Sequence, residues 1–393
     1  MSVGHYYTFG VFFKPVSADF GWSRTITSFA SSIVIFTSGI LGLTTGFLTD
    51  KYGPRKVVSA SGLLMAIGYF LLSRLGTFPG IPVLIQFYLF YLVVGVGMSA
   101  SSAPLTATVS RWFHEKRGQA LGLMTVGGGL GQFLMPPFAS YMIFSADWQM
   151  AYFVIGVLMA VIIISTAQLL RRDPSAKGLQ PYGQQQTTIV TGKPPAPVFT
   201  VKQAIHTRTF WIIFIVAALN LITQVMVMMH LVNYATDPGT GISPTIAATF
   251  IAVIGFANVI GKLVMGPVSD HIGRKATLAI CYTLAGTTMV WLIFARQIWM
   301  FYVFSALFGF AYGGWIPMFP AMMADLFGMA SIGALTGIIH MGNAIGGAIG
   351  PILGGYIFDL TKSYLIAFIL GAIVFYVAAA LILSVKPPQH KRS

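Results

Sequence analysis

The chain has 393 residues, of which 56% are hydrophobic and only 8% charged, with 23 Lys+Arg against 9 Asp+Glu. Soluble domains carry about 25% charged residues, so a composition this poor in charge excludes a soluble globular protein and describes one that turns most of its area to lipid. The formal charge of +14 does not by itself indicate nucleic acid, because that partner needs clustered bases on a water-soluble face. The one cysteine, Cys281, lies in an apolar stretch, so no intrachain disulfide is available.

A helix crosses a hydrocarbon core of about 30 Å with about 20 mostly apolar residues. The first apolar segment, Val3 to Val16, is about 14 residues long, too short to cross comfortably, and it lacks the basic start and cleavage site of a signal peptide. Eleven complete spans follow, at 25–49, 57–74, 82–110, 118–143, 148–170, 210–233, 244–268, 276–295, 298–324, 331–358 and 364–385. Residues 171–209 are polar and rich in Pro, Gln and Thr, which predicts a flexible or surface-lying linker. The organisation expected is therefore an N-terminal six-helix bundle over 1–170 with an incomplete first helix, a cytoplasmic linker over 171–209, a C-terminal six-helix bundle over 210–385, and a cytoplasmic tail over 386–393.

Placing the linker in the cytoplasm puts most of the basic residues on that side. Only Arg24, Arg74, Arg296 and Lys362 fall outside, while Lys14 and Lys262 remain in or near the membrane. The positive-inside bias thus orients the chain, with both ends cytoplasmic, and accounts for the high charge without nucleic acid.

Two segments repeat each other, Gly46-Phe-Leu-Thr-Asp50-Lys-Tyr-Gly53-Pro-Arg55 and Gly266-Pro-Val-Ser-Asp270-His-Ile-Gly273-Arg274. Each follows an apolar span, with Gly four residues before Asp, a second Gly three residues after it, and then basic residues. A short cytoplasmic loop favours these residue types anyway, but two copies at equivalent places in two halves indicate an internal repeat. The pattern resembles the loop between the second and third helices of the major facilitator superfamily and its echo between the eighth and ninth. That resemblance covers the whole chain and implies twelve transmembrane helices in two six-helix halves, packed around a midplane cavity that opens alternately to each side. In that family the loop's Asp and Arg latch the cytoplasmic face, which implies gate roles for Asp50, Arg55, Asp270 and Arg274, with Arg117 in the same set. Asp50 lies closer to Met1 than Asp270 lies to the start of its half, which predicts roughly one to two helical turns missing ahead of the first residue, a short re-entrant helix being the alternative.

Three further stretches are Phe20-Gly21-Trp22-Ser23-Arg24, Arg111-Trp112-Phe113-His114-Glu115-Lys116-Arg117 with the glycines that follow it, and His230-Leu-Val-Asn-Tyr234-Ala-Thr-Asp237. Together they are similar to the monocarboxylate porter family and the neighbouring prokaryotic oxalate:formate antiporter group.

All nine acids fall in loops or at helix ends on the span map. A charge at the bilayer centre costs on the order of 3 kcal/mol, so Lys262 inside the eighth span stands out. Either it extends its ammonium to the interface or it anchors an anion. The related porters have an Arg there with Asp or Asn one turn earlier; the pair here is Asn258 and Lys262, which keeps the charge and loses the planar fork. His340 in the eleventh span occupies the neighbourhood of an antiporter Lys, and a neutral imidazole suits a monoanion and can take a proton near neutral pH. His230, near the outer end of its helix, is expected to be solvated. Alignment through Val11-Phe-Phe-Lys14 puts Tyr7 where the family has a functional Lys or Tyr, and its hydroxyl could donate to a carboxylate. Tyr312, Trp315 and Phe319 could wall the pocket or pack helices. Ser99, Ser101, Ser102 and Thr106 could face the cavity or serve close packing.

The function expected is secondary transport of small organic monocarboxylates such as lactate, pyruvate or formate, coupled to protons and performed by a monomer in the inner (plasma) membrane. Anion exchange, facilitated passage of another solute and a non-transporting receptor are the competing readings. No metal or cofactor is expected. An enzyme is disfavoured because the spans lack paired carboxylates and nucleophilic sets, and ATP-driven transport because no GxxxxGK[ST] loop occurs.

Overall fold

In the computed structural model the described residues are 5–113, 117–182, 199–315, 318–328 and 332–387. They form helices and turns throughout, with one isolated bridge between Phe113 and Tyr182. A 3-10 turn, His5–Thr8, leads into α1 (Phe9–Phe20), followed by α2 (Arg24–Tyr52), α3 (Pro54–Ser73), α4 (Val83–Met98), α5 (Ala103–Trp112), α6 (Arg117–Ser145) and α7 (Trp148–Ala167). After the linker come α8 (Val201–Ile205), α9 (Arg208–Ala235), α10 (Pro244–Ile272), α11 (Arg274–Phe294), α12 (Ile298–Trp315), α13 (Met318–Phe327), α14 (Ile332–Thr361) and α15 (Leu365–Ser384). Among the described residues, ten segments are long and apolar enough to cross a membrane. The helix α6 is long enough too, but its run of glycines and Pro136-Pro137 dilutes its hydropathy.

The sequence repeat is also a repeat of geometry. Helices α2 and α10 each have 29 residues, capped at the start by Ser23 and Ser243 and closed by Gly53 and Gly273. Both serine side chains accept from the backbone N–H three residues on, which satisfies an otherwise orphan donor. Gly53 and Gly273 hold nearly identical backbone angles (φ 83°, ψ 156° and φ 86°, ψ 151°), a conformation that only glycine adopts without strain, so α3 and α11 turn back at once.

The expected continuous span at 82–110 is two helices, α4 and α5, separated by a turn at 99–102. Carbonyls released by the interruption find side-chain donors on neighbouring helices, as a membrane interior requires: Thr45 Oγ1 donates to Ser99 O at 3.0 Å, and Ser61 Oγ donates to Gly97 O.

The two halves meet along α2 and α14, α6 and α10, and α1 and α9. We call the side where the linker leaves and re-enters the linker face, and the other the far face. From the far face to the middle of the bundle the seams are closed. A side chain at Gly355 would meet Arg24 O at 2.7 Å, one at Gly39 would strike Ala344, and one at Gly129 would meet Val259 at 2.6 Å. Seven residues further toward the linker face on the same helical stripes, Gly46, Gly337, Gly122 and Gly266 have nothing within 4 Å among the described residues. Over a step of about 10 Å both seams therefore part, and the halves enclose a cleft open to the linker face.

Within the C-terminal half, Gly313 lets α12 approach the α10 backbone, where an added side chain would strike Asn258 O and come within 2.9 Å of Lys262 N. Gly313→Leu is expected to destabilise the protein by about 3 kcal/mol through overpacking, whereas Gly337→Ala in the open cleft leaves it unchanged. Thermal unfolding of the two variants in detergent checks this, and equal midpoints would contradict the packing described.

Candidate functional site

The cleft is roofed where the halves first touch. Tyr7, one residue before the end of the 3-10 turn, places its Oη 2.8 Å from Tyr312 Oη on α12, so two hydroxyls 305 residues apart in sequence join the halves. Tyr312 also bonds the side chain of Gln224 on α9. At 1.5 Å per residue Tyr7, Tyr312 and Asn258 lie roughly 20 Å from the far ends of their helices, Lys262 about 27 Å and His340 about 31 Å. The last two thus sit below the tyrosine pair, toward the open face.

Lys262 points across the seam. It lies two turns from Gly255 on the α10 stripe that packs against Gln132 and Phe133 of α6, and its Nζ donates to Thr125 O of α6 at 3.3 Å. Among the described residues no carboxylate comes within ion-pairing distance of it. Asn258, one turn away, is 2% exposed and its Nδ2 has no partner among the described residues, which leaves a buried donor unsatisfied beside the ammonium. His340 is solvent-exposed on α14. It lies two turns from Gly347, whose side-chain direction meets Ile35 of α2, so the imidazole faces the opposite half where the seam has opened. Asn343 follows on the same stripe with a buried Oδ1 that has no partner among the described residues. One cation, an imidazole, two amides and a pair of hydroxyls, with no acid paired to the cation among the described residues, can hold an anion by charge and hydrogen bonds.

Other expected residues lie elsewhere. Trp315 is 1% exposed and packs into its own half, its ring 5.4 Å from that of Tyr282 and 5.6 Å from that of Phe375, whereas Tyr312 meets Tyr7 of the N-terminal half. Phe319 is buried in α13. Ser99 is buried in the turn after α4 with its Oγ on Val96 O at 2.6 Å, while Ser102 and Thr106 are exposed and Ser101 is partly so.

Asp50, Arg55, Asp270 and Arg274, all expected at the gate, pair within their own halves while the linker face is open. Asp50 accepts from Arg111 at 2.6 Å, and Arg55 Nε donates to Gln168 at 2.6 Å. Arg274 bridges Asp270 at 2.9 Å and Asp325 at 3.6 Å. Arg117 opens α6, and its side chain lies outside the described residues.

The far face carries a lock that the span map did not reveal. Asp237, just beyond α9, pairs with Lys14 of α1 at 2.7 Å and with Arg24 of α2 at 2.7 Å. Arg24 also donates to Tyr364 Oη at 2.6 Å and rests its guanidinium 3.4 Å from the centre of the Phe358 ring. Asp359 caps α2 from the opposite half, accepting from Arg24 N at 3.1 Å and Thr25 N at 2.8 Å. Burial holds the Tyr364 phenol above its ordinary pKa, so it stays a neutral hydroxyl. His230 is not the solvated end residue expected: it is fully buried, with Nδ1 2.9 Å from Tyr364 Oη and Nε2 2.9 Å from Pro351 O. A neutral ring with its proton on Nε2 satisfies both partners, donating to the carbonyl and accepting from the phenol. The signal for this lock was in the sequence: near the far face the cations Lys14 and Arg24 belong to one half and the carboxylates Asp237 and Asp359 to the other.

A helical membrane bundle of two repeated halves, closed at one face around a polar cleft, is the architecture of an alternating-access membrane transporter. The Major Facilitator Superfamily profile matches residues 1–240 and 236–393, and the chain belongs to that family. It is 26% identical to the MFS-type transporter YcxA of Bacillus subtilis over 98% of this chain and 91% of that protein. It is 26% identical to rat monocarboxylate transporter 13, covering 93% and 81%, and 26% identical to the oxalate:formate antiporter of Oxalobacter formigenes, covering 98% and 88%.

Proposed function

We propose that this protein is a secondary active transporter of small organic monocarboxylate anions, of the lactate, pyruvate or formate kind, that works as a proton-coupled symporter in the plasma membrane. The linker face is cytoplasmic on the positive-inside count, so the structure corresponds to an inward-open state with the outer face locked. Lys262 carries the reading. It is a cation inside the membrane with no acid partner among the described residues, placed on the seam between halves that must separate and rejoin during transport. The unsatisfied Asn258 Nδ2 and the Tyr7–Tyr312 pair supply neutral donors at the head of the same cleft. The likeness to monocarboxylate transporters and to an oxalate:formate antiporter supports an organic anion.

One observation favours exchange of one anion for another instead. Asn258 cannot titrate, so a proton would have to travel on His340 or on the substrate itself. The purified protein in proteoliposomes separates the two. A symporter takes up labelled lactate, pyruvate or formate into substrate-free vesicles faster when the outside is acidic, and alkalinises the medium as it does so. An exchanger ignores the gradient and requires a carboxylate inside. No flux of any of the three under either condition would overturn the assignment.

A further inference from the structure

Where α10, α11 and α12 reach the far face, an open groove of about 560 Å³ is lined by Thr240, Gly241, Ile242, Arg296, Trp299 and Tyr302, among others. Arg296 takes part in none of the ion pairs among the described residues, which sets it apart from Arg24 on the same face. Its Nη1 is held by Tyr234 Oη at 2.7 Å, Ala295 O at 2.8 Å and Ile293 O at 3.2 Å, and its Nε and Nη2 have no partner among the described residues. A fixed cation with spare donors therefore stands at the mouth of a groove whose wall is mainly apolar.

The groove lies at the far face, away from the mouth of the cleft at the linker face. Trp299 is 53% exposed and meets Trp291 edge-on at 5.8 Å, an indole pair at the depth where interfacial aromatics collect. Below it, Phe256 and Ile260 of α10 and Leu307 of α12 are exposed, Phe256 with its ring 5.9 Å from that of Phe133 on α6, and the exposed parts of such side chains at that depth meet acyl chain. An unpaired guanidinium above an apolar track fits a phosphate joined to hydrocarbon. A free carboxylate would use the cation and leave the track empty.

We propose that this groove binds an anionic phospholipid, with Arg296 on the phosphate and Trp299 and Tyr302 against the glycerol and the upper acyl chain. The site adjoins the outer lock. Tyr234, which accepts from Arg296, packs its ring edge-on against Tyr364 at 6.1 Å, and Tyr364 accepts from Arg24. A lipid that steadies Arg296 thereby steadies the α9 end that carries Asp237. The proposal needs only that the far ends of α10 to α12 lie at a membrane surface, so it stands or falls apart from the choice of transported solute.

The test is thermal unfolding of the full-length protein in a neutral detergent, titrated with phosphatidylglycerol, phosphatidylcholine or soluble glycerol phosphate. Phosphatidylglycerol should raise the midpoint with dose, and the other two should not. Arg296→Gln should need about five- to tenfold more phosphatidylglycerol for the same rise, the effect of one interfacial cation, and Arg296→Lys should respond like the parent. Native mass spectrometry of the unmutated protein gives a readout that does not depend on a variant folding, and should retain phosphatidylglycerol over phosphatidylcholine. Equal response to the two lipids, equal retention of them, a parent-like Arg296→Gln titration, or the same shift from glycerol phosphate alone would each overturn the proposal.

Discussion

Replacing Lys262 by Met is expected to lower carboxylate uptake by about 100-fold while leaving the protein folded, because each hydrogen bond to a charged group contributes about 1.5–3 kcal/mol and a bound carboxylate would lose both charge and bond. The structural loss is small. In the resting cleft the ammonium makes one long bond, 3.3 Å to Thr125 O, and methionine retains the length and apolar stem of the side chain. Removing a partly buried, unpaired charge also relieves a desolvation cost, so the unfolding midpoint should stay level or rise. Lys262→Arg sharpens the test. It keeps the charge and adds a planar fork that grips a carboxylate through two bonds, so uptake should persist with tighter apparent affinity. Uptake by Lys262→Met at the parental rate would remove Lys262 from the substrate site.

The second large effect is expected at the far-face lock, the outer one in the proposed orientation. In Asp237→Asn the amide cannot neutralise Lys14 and Arg24, and two partly buried cations are left facing each other between the halves. A loss of about 2 kcal/mol from the closed outer face would change the ratio of outward-open to inward-open protein about 30-fold. Ser28 reports it. The side chain is fully buried behind Arg24, with its Oγ on Arg24 O at 2.7 Å, and the native Cys281 is buried, so it is expected not to label. A Cys introduced at position 28 should react with a membrane-impermeant maleimide many times faster in Asp237→Asn than in the parent. Unchanged labelling would mean that the ion pairs decorate a face held shut by packing alone. Transport should fall in the same variant, since a gate that closes poorly cannot complete the cycle.

These two sites differ in how far the sequence exposed them. Lys262 was legible because an ionisable residue amid apolar neighbours stands out by composition, and Asn258 came with it by helical spacing. The Asp50 and Asp270 loops were legible because the repeat made them visible twice, and Gly53 and Gly273 adopt the matching turn that the repeat implied. The roles of Arg24 and Asp237 were not, although both lie in stretches that marked the family. Each looks like an ordinary interfacial charge until α2 and α9 are docked. His230 failed in the opposite direction: a residue five positions from a helix end reads as solvated, yet Pro351 O, Tyr364 and Ser28 close around it from helices more than a hundred residues away in sequence. Trp315 and Tyr312 are three residues apart on one helix, and only the rotation of α12 against α11 and α15 sends the indole inward and the phenol across the seam.

The sequence by itself determined that this is a membrane protein of two repeated halves with a cation left inside the bilayer. Those properties follow from run length, charge density and a period of 220 residues (270 − 50), all of which are local or additive along the chain. Only the tertiary structure decided which face is closed, what locks it, and which side chains meet across the seams. Those outcomes depend on the rotation and depth of helices packed through close contacts such as Gly39 with Ala344 and Gly129 with Val259. A helix turns about 100° per residue, so small changes in packing angle choose different partners from the same sequence.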